Sequence, residues 1–170
     1  MNAYMSVVPL PSVSIGRLIR HHGDYHLGQV LRASDGRFMV IDFEGEPARP
    51  LEERRRKASP LRDVAGMIRS FAYAAASATM EAGGVGTSAV IETRAARWER
   101  DVRQRFLDAY LAPPSAGDGA IPHLLPGSAE DTLHLLTLFE IEKMFYELSY
   151  EIDNRPNWAW IPMRGIARLF

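Results

Sequence analysis

The chain has 170 residues, 46% of them hydrophobic and 24% charged, and carries a net charge of −1. That length and balance suit one globular domain with a sizeable core, and the lack of net positive charge argues against a nucleic-acid or anionic-lipid partner. There is no cysteine, which excludes disulfides and thiolate metal sites and fits a reducing compartment.

The first 15 residues, with Pro9 and Pro11, read as irregular and match no motif. They lack the basic start and long apolar centre of a signal peptide. No segment approaches the roughly 20 apolar residues of a membrane span, so a cytoplasmic setting is expected. Residues 16–19 form a short strand or turn leading into HHGDYHLGQVL. Residues 29–32 read as a short strand, Asp35-Gly36 as a hairpin turn, and FMVIDF (38–43) as a second strand rich in β-branched and aromatic residues. Residues 44–58 are polar, with two prolines and a charge run, and read as an exposed loop with room for a helical turn.

Ser59-Pro60 has the form of an N-cap followed by proline at the first helical position. Leu61, Val64, Ala65, Ile68, Phe71, Ala72 and Ala75 then recur at helical spacing. EAGGVGTS (81–88) breaks the pattern; it lacks the lysine and flanking strand of a phosphate-binding P-loop. From Ser88 a second helix carries Ile91, Ala95, Trp98, Val102, Phe106 and Tyr110. Residues 112–128 form a long loop. Ser128 and Asp131 approximate a capping box, and a third helix runs to about Ile152 with Leu133, Leu136, Ile141, Met144, Phe145 and Leu148 as its apolar stripe. NRPNWAWIP (154–162) ends it, and residues 163–170 form a last short helix. The expected class is α+β and mostly helical, with one small hairpin.

Two carboxylates invite a chemical reading. Asp24 lies in the loop before the first strand, and Asp42 closes the second. A hairpin brings those two places together. Phosphoryl transfer needs a carboxylate that orients the attacking hydroxyl and takes its proton, and oxygen ligands for the magnesium on the phosphates. Gln29, five residues after Asp24, offers an amide oxygen. Taken alone, a loop aspartate is more often a turn former or cap.

HGDYHLGQVL followed by IDFEGE resembles the catalytic and metal loops of the aminoglycoside phosphotransferase-like kinases, which share the protein-kinase fold. The resemblance implies Asp24 as catalytic base and Gln29 and Asp42 as magnesium ligands, with glutamine in place of the usual asparagine. Glu44 either joins that metal or stays solvated. His22 is implied as a loop-fixing residue and Asp63 as the brace of the catalytic loop, although a favourable charge at a helix N-terminus would serve Asp63 equally. With IDFEGEPARPLEERRRKASPLRDVAGMIRSF and KMFYELSYEIDNRPNW added, the chain is similar to the maltokinases over about residues 20–166, including those fused behind trehalose synthase.

That resemblance implies ATP-dependent phosphorylation of maltose to maltose 1-phosphate, with ATP and maltose as partners and Mg2+ as cofactor. It divides the chain into an unassigned segment (1–15) and a kinase-like C-terminal lobe (16–170). The lobe would hold a catalytic loop at 22–29, a metal loop at 42–46 and a sugar-site helix and loop at 140–158. Lys143, Tyr146, Glu147 and Tyr150 recur at spacings of three and four on one helix face, with Arg155 beyond. Polar forks beside aromatic faces suit a sugar, and a solvated helix face is the plain alternative. His26 either lines the same pocket or holds the loop. The catalytic loop begins so early that the lobe carrying the nucleotide-phosphate loop and lysine has no room before it. Little activity is therefore expected from this chain alone, and a separate N-terminal lobe or a trehalose synthase domain is an expected partner. The other readings are a non-catalytic sugar-binding or interaction module and a related small-molecule kinase.

Overall fold

A computed structural model describes residues 14–83, 89–112 and 124–168. The readings made for residues 1–13, for most of the two glycine- and proline-rich breaks and for the last two residues lie outside them.

The element with the clearest sequence signal forms the centre. Helix α2 (Leu61–Glu81) follows a single helical turn, α1 (Leu51–Arg54), and packs against α3 (Ala89–Leu111) and α4 (Ala129–Asn154). Its apolar residues Leu61, Val64, Ala65, Ile68, Phe71 and Ala75 are all buried. They meet Leu107 of α3 and Leu135 and Leu136 of α4, with Phe106, Leu125 and Phe139 packed around them. Each fully buried leucine contributes about 1.5–3 kcal/mol by leaving water. The start of α2 is displaced by one residue from the sequence reading. Ser59 Oγ accepts the Leu61 N–H at 3.3 Å, and Pro60 is the residue just before the helix.

Strands β1 (Val30–Arg32) and β2 (Phe38–Val40) pair antiparallel, with Val30 opposite Val40 and Arg32 opposite Phe38. The second strand is shorter than the sequence suggests because Asp42 adopts φ 64°, the left-handed region, and extended pairing cannot continue through it. A short 3-10 turn, Leu27–Gln29, leads into β1. Ile19 forms an isolated bridge with Ala58, which ties the chain before the Asp24 loop to the end of segment 44–58.

The reading of α4 needs correction. Leu133 and Phe145 are half or more exposed, whereas Thr132, Leu135, Leu136, Met144, Glu147 and Glu151 are buried. The buried face begins apolar against α2 and turns ionic toward its C-terminal end, so an apolar stripe alone misplaces it. After Asn154 a 3-10 turn (Pro156–Trp158) leads to α5 (Trp160–Ala167). This helix begins three residues earlier than expected. Pro162 falls in its first turn, where a missing N–H costs nothing.

Candidate active site

The loop after Ile19 is held by α2 from below. The Asp63 carboxylate accepts the backbone N–H of His22 at 2.7 Å and of Gly23 at 2.9 Å. His22 is buried; its Nε2 donates to the Ile41 carbonyl at 2.7 Å, and its Nδ1 accepts the Asp24 N–H at 3.3 Å. These partners fix its tautomer and clamp the loop carrying Asp24 to the residue before Asp42. Two glycines make the fit possible. Gly23 has φ 85°. At Gly66 a Cβ would meet the Tyr25 carbonyl oxygen at 2.6 Å, so α2 must carry glycine where the loop crosses it.

Asp24 emerges from this brace beside Lys143 of α4, with the ammonium 3.6 Å from its Oδ1. The same ammonium donates to Glu46 at 3.1 Å, and His26 Nε2 lies 3.9 Å from Asp24 Oδ2. Burial pushes the Asp24 carboxyl above the usual carboxylate range; Lys143 and His26 pull it down and Glu46 pushes it up. The Tyr146 hydroxyl is buried without a hydrogen-bond partner, and burial together with Glu46 and Asp24 raises its pKa.

Asp24, His26, Lys143, Tyr146, Glu147, Tyr150 and Arg155 all line one cavity of about 500 Å3. Its floor is ionic. Arg69 Nε donates to Glu147 at 2.9 Å; Nη2 is 2.8 Å away from the same carboxylate but outside hydrogen-bond geometry. Burial still pushes Glu147 up, against the pull of Arg69. Glu151, 1% exposed, accepts two bonds from Arg155 at 2.9 and 2.6 Å and one from the Tyr73 hydroxyl at 3.0 Å. The Arg155 guanidinium lies 5.6 Å from the Tyr150 ring and 5.0 Å from Trp158, and Trp158 stacks on Tyr73 at 6.2 Å.

Gln29 and Asp42 form a separate pair at the end of the hairpin. Gln29 Nε2 donates to Asp42 Oδ2 at 2.9 Å, so the amide nitrogen, not the oxygen, faces the carboxylate. Among the described residues no group of three or more His, Asp or Glu gathers as a metal site. One carboxylate and one amide still fit magnesium, which keeps waters and takes phosphate oxygens as its other ligands. The Glu44 carbonyl accepts a bond from Arg54.

The sequence reading missed Glu46, Tyr73 and Arg69 at this site. Glu46 lies two residues beyond Glu44 in the same acidic loop, and its link to Lys143 is visible only in three dimensions. Tyr73 and Arg69 are spaced four apart on α2, on the face turned to α4, a polar pair set among apolar helical positions.

Among the described residues the fold is a mostly helical, kinase-like partial chain with one small sheet and a loop at 20–26 braced by Asp63. It is similar to solved glucosamine kinase structures. One, in complex with glucosamine, ADP and inorganic phosphate, gives a TM-score of 0.58 at 26% identity over 87% of this chain and 34% of that one. Another crystal form gives 0.59 at 26% identity over 88% and 34%. In sequence the chain is 32% identical over 154 residues to a glucosamine kinase of Streptacidiphilus jiangxiensis, covering 89% of this chain and 32% of that protein. It is 32% identical over 148 residues to one of Mycolicibacterium smegmatis, covering 87% and 33%. The chain thus spans about a third of the length of these curated relatives. No family model matches it. Among the described residues no helix is long and apolar enough to cross a membrane.

Proposed function

We propose that this chain is the C-terminal, sugar-binding lobe of an ATP-dependent sugar kinase, with Asp24 as the base for the acceptor hydroxyl. The observation that carries this reading is the shared cavity. Residues chosen from three separate stretches of sequence line one space of about 500 Å3 around Asp24, within the usual range for small-molecule sites. Gln29 and Asp42 would hold magnesium, which supplies charge neutralisation on the transferring phosphoryl group. A half-turn of the Gln29 amide would present its oxygen to the ion. A nucleotide-binding lobe, in the same protein or a separate chain, would complete the ATP site, and the setting is cytoplasmic.

An amino sugar such as glucosamine is the favoured acceptor. The relatives are glucosamine kinases, and the acids lining the cavity (Asp24, Glu46, Glu147, Glu151) outnumber its cations, Lys143 and Arg155. Both cations are already committed to Glu46 and Glu151. Maltose is the second reading, supported by the cavity's volume and by its aromatic walls of Tyr73, Tyr146, Tyr150 and Trp158. Calorimetric titration with each sugar decides between them. Tyr146→Ala removes an unpaired hydroxyl from the wall and should weaken the true acceptor about tenfold. Failure of both sugars to bind the unaltered chain removes the reading.

A further inference from the structure

A second cavity, of about 450 Å3, lies on the other side of Asp24, between the catalytic loop, segment 45–59 and the facing sides of α2 and α4. Its lining is more basic than that of the sugar cleft, although Asp24, Glu46, Glu53, Asp63 and Glu142 share it. Arg49, Arg54, Arg56, Lys57 and Arg62 all line it.

The acids on its wall are mostly occupied. Asp63 is bound to two backbone N–H groups. Asp24 and Glu46 share Lys143, and Glu142 accepts Arg62 at 2.7 Å. The remaining cations are held only loosely, Arg54 by the Glu44 carbonyl at 3.3 Å. Arg49 lies 3.6 Å from Glu142 and 3.8 Å from Glu53, and Arg56 lies 3.6 Å from Glu52, all beyond hydrogen-bonding distance. Lys57 pairs with no carboxylate among the described residues. Arg54 Nε and His21 Nδ1, both from residues of this wall, are buried with no hydrogen-bond partner. Buried donors without acceptors are costly, and a cluster of guanidinium donors is matched best by a tetrahedral oxyanion.

We propose that this cavity is a binding site for a small phosphoryl-bearing anion, distinct from the nucleotide-metal loop and held chiefly by Arg54, Arg56 and Lys57. Because Asp24, Glu46 and Lys143 border both cavities, an anion here would sit next to the carboxylate that faces the sugar.

The test is calorimetric titration of the full chain with inorganic phosphate and pyrophosphate at low salt, with glucosamine 6-phosphate and chloride as further arms. The double variant Arg54→Gln/Lys57→Ala should weaken phosphate or pyrophosphate about tenfold or more, and Arg56→Ala should weaken it in the same sense. Both changes are at partly or fully exposed positions, so the fold, checked by circular dichroism, should be retained. Tightest binding of the sugar phosphate would identify it as the ligand; tightest binding of pyrophosphate would favour the free anion. The proposal is overturned if both variants bind phosphate as the unaltered chain does, if chloride competes equally, or if Asp42→Asn alone abolishes binding. Glucosamine titrated into the same variants keeps the two cavities separate. Loss of sugar binding in the unaltered chain would refute the sugar-kinase reading without touching the anion site.

Discussion

Asp24 is one carboxylate with three titratable neighbours, Lys143, Glu46 and His26, and its behaviour follows from their balance. Burial raises its pKa, so in a kinase carrying this lobe the ionised, proton-accepting form is lost on the acid side at a higher pH than for an ordinary aspartate. Lys143 favours the ionised form and Glu46 disfavours it. Lys143→Met should therefore move the acid limb of the rate profile to higher pH, and Glu46→Gln should move it to lower pH. Shifts in the same direction would contradict this arrangement. The meeting of Gln29 with Asp42 was legible in the sequence because pairing across a hairpin is local. Glu46 was not, because its partner Lys143 is 97 residues away.

At the scale of elements, α2 does two jobs. Its apolar face builds the core, and its opposite side carries Asp63 and Gly66 against the loop of His22 to Tyr25. In an ordinary helix interior, Gly→Ala gains about 1 kcal/mol. Here the added Cβ would strike the Tyr25 carbonyl oxygen, so Gly66→Ala should lose about 1–3 kcal/mol and displace the loop. Thermal unfolding of the variant checks the sign, and a stabilised protein would show that the loop does not rest there. The core-facing side of α2 was readable because Leu61, Val64, Ala65, Ile68, Phe71 and Ala75 are apolar at helical spacing and buried. The face of α4 was not. Glu147 and Glu151 look like solvated residues until Arg69, Tyr73 and Arg155 are seen around them. A buried ion pair is favourable only with such partners in place, and periodicity cannot supply them.

At the scale of the whole molecule, one side is finished and one is open. Phe38 is 69% exposed, Phe43 56% and Met39 51%, all on or beside the hairpin. Apolar groups clustered this way favour association. Phe38→Ser with Met39→Thr should reduce self-association in sedimentation velocity while leaving the helical content unchanged. Equal association of variant and parent would place the sticky surface elsewhere. The mostly helical class and the single hairpin could be read from composition and spacing, whereas the exposure of the hairpin depends on what else packs against it.

The role of Asp24 is tested most directly by sugar-dependent ADP release in a kinase that carries this lobe together with a nucleotide-binding lobe. Asp24→Asn should lower turnover with glucosamine or maltose by about 10²- to 10⁴-fold while sugar affinity stays nearly unchanged. Turnover by the asparagine variant equal to that of the parent would contradict the account.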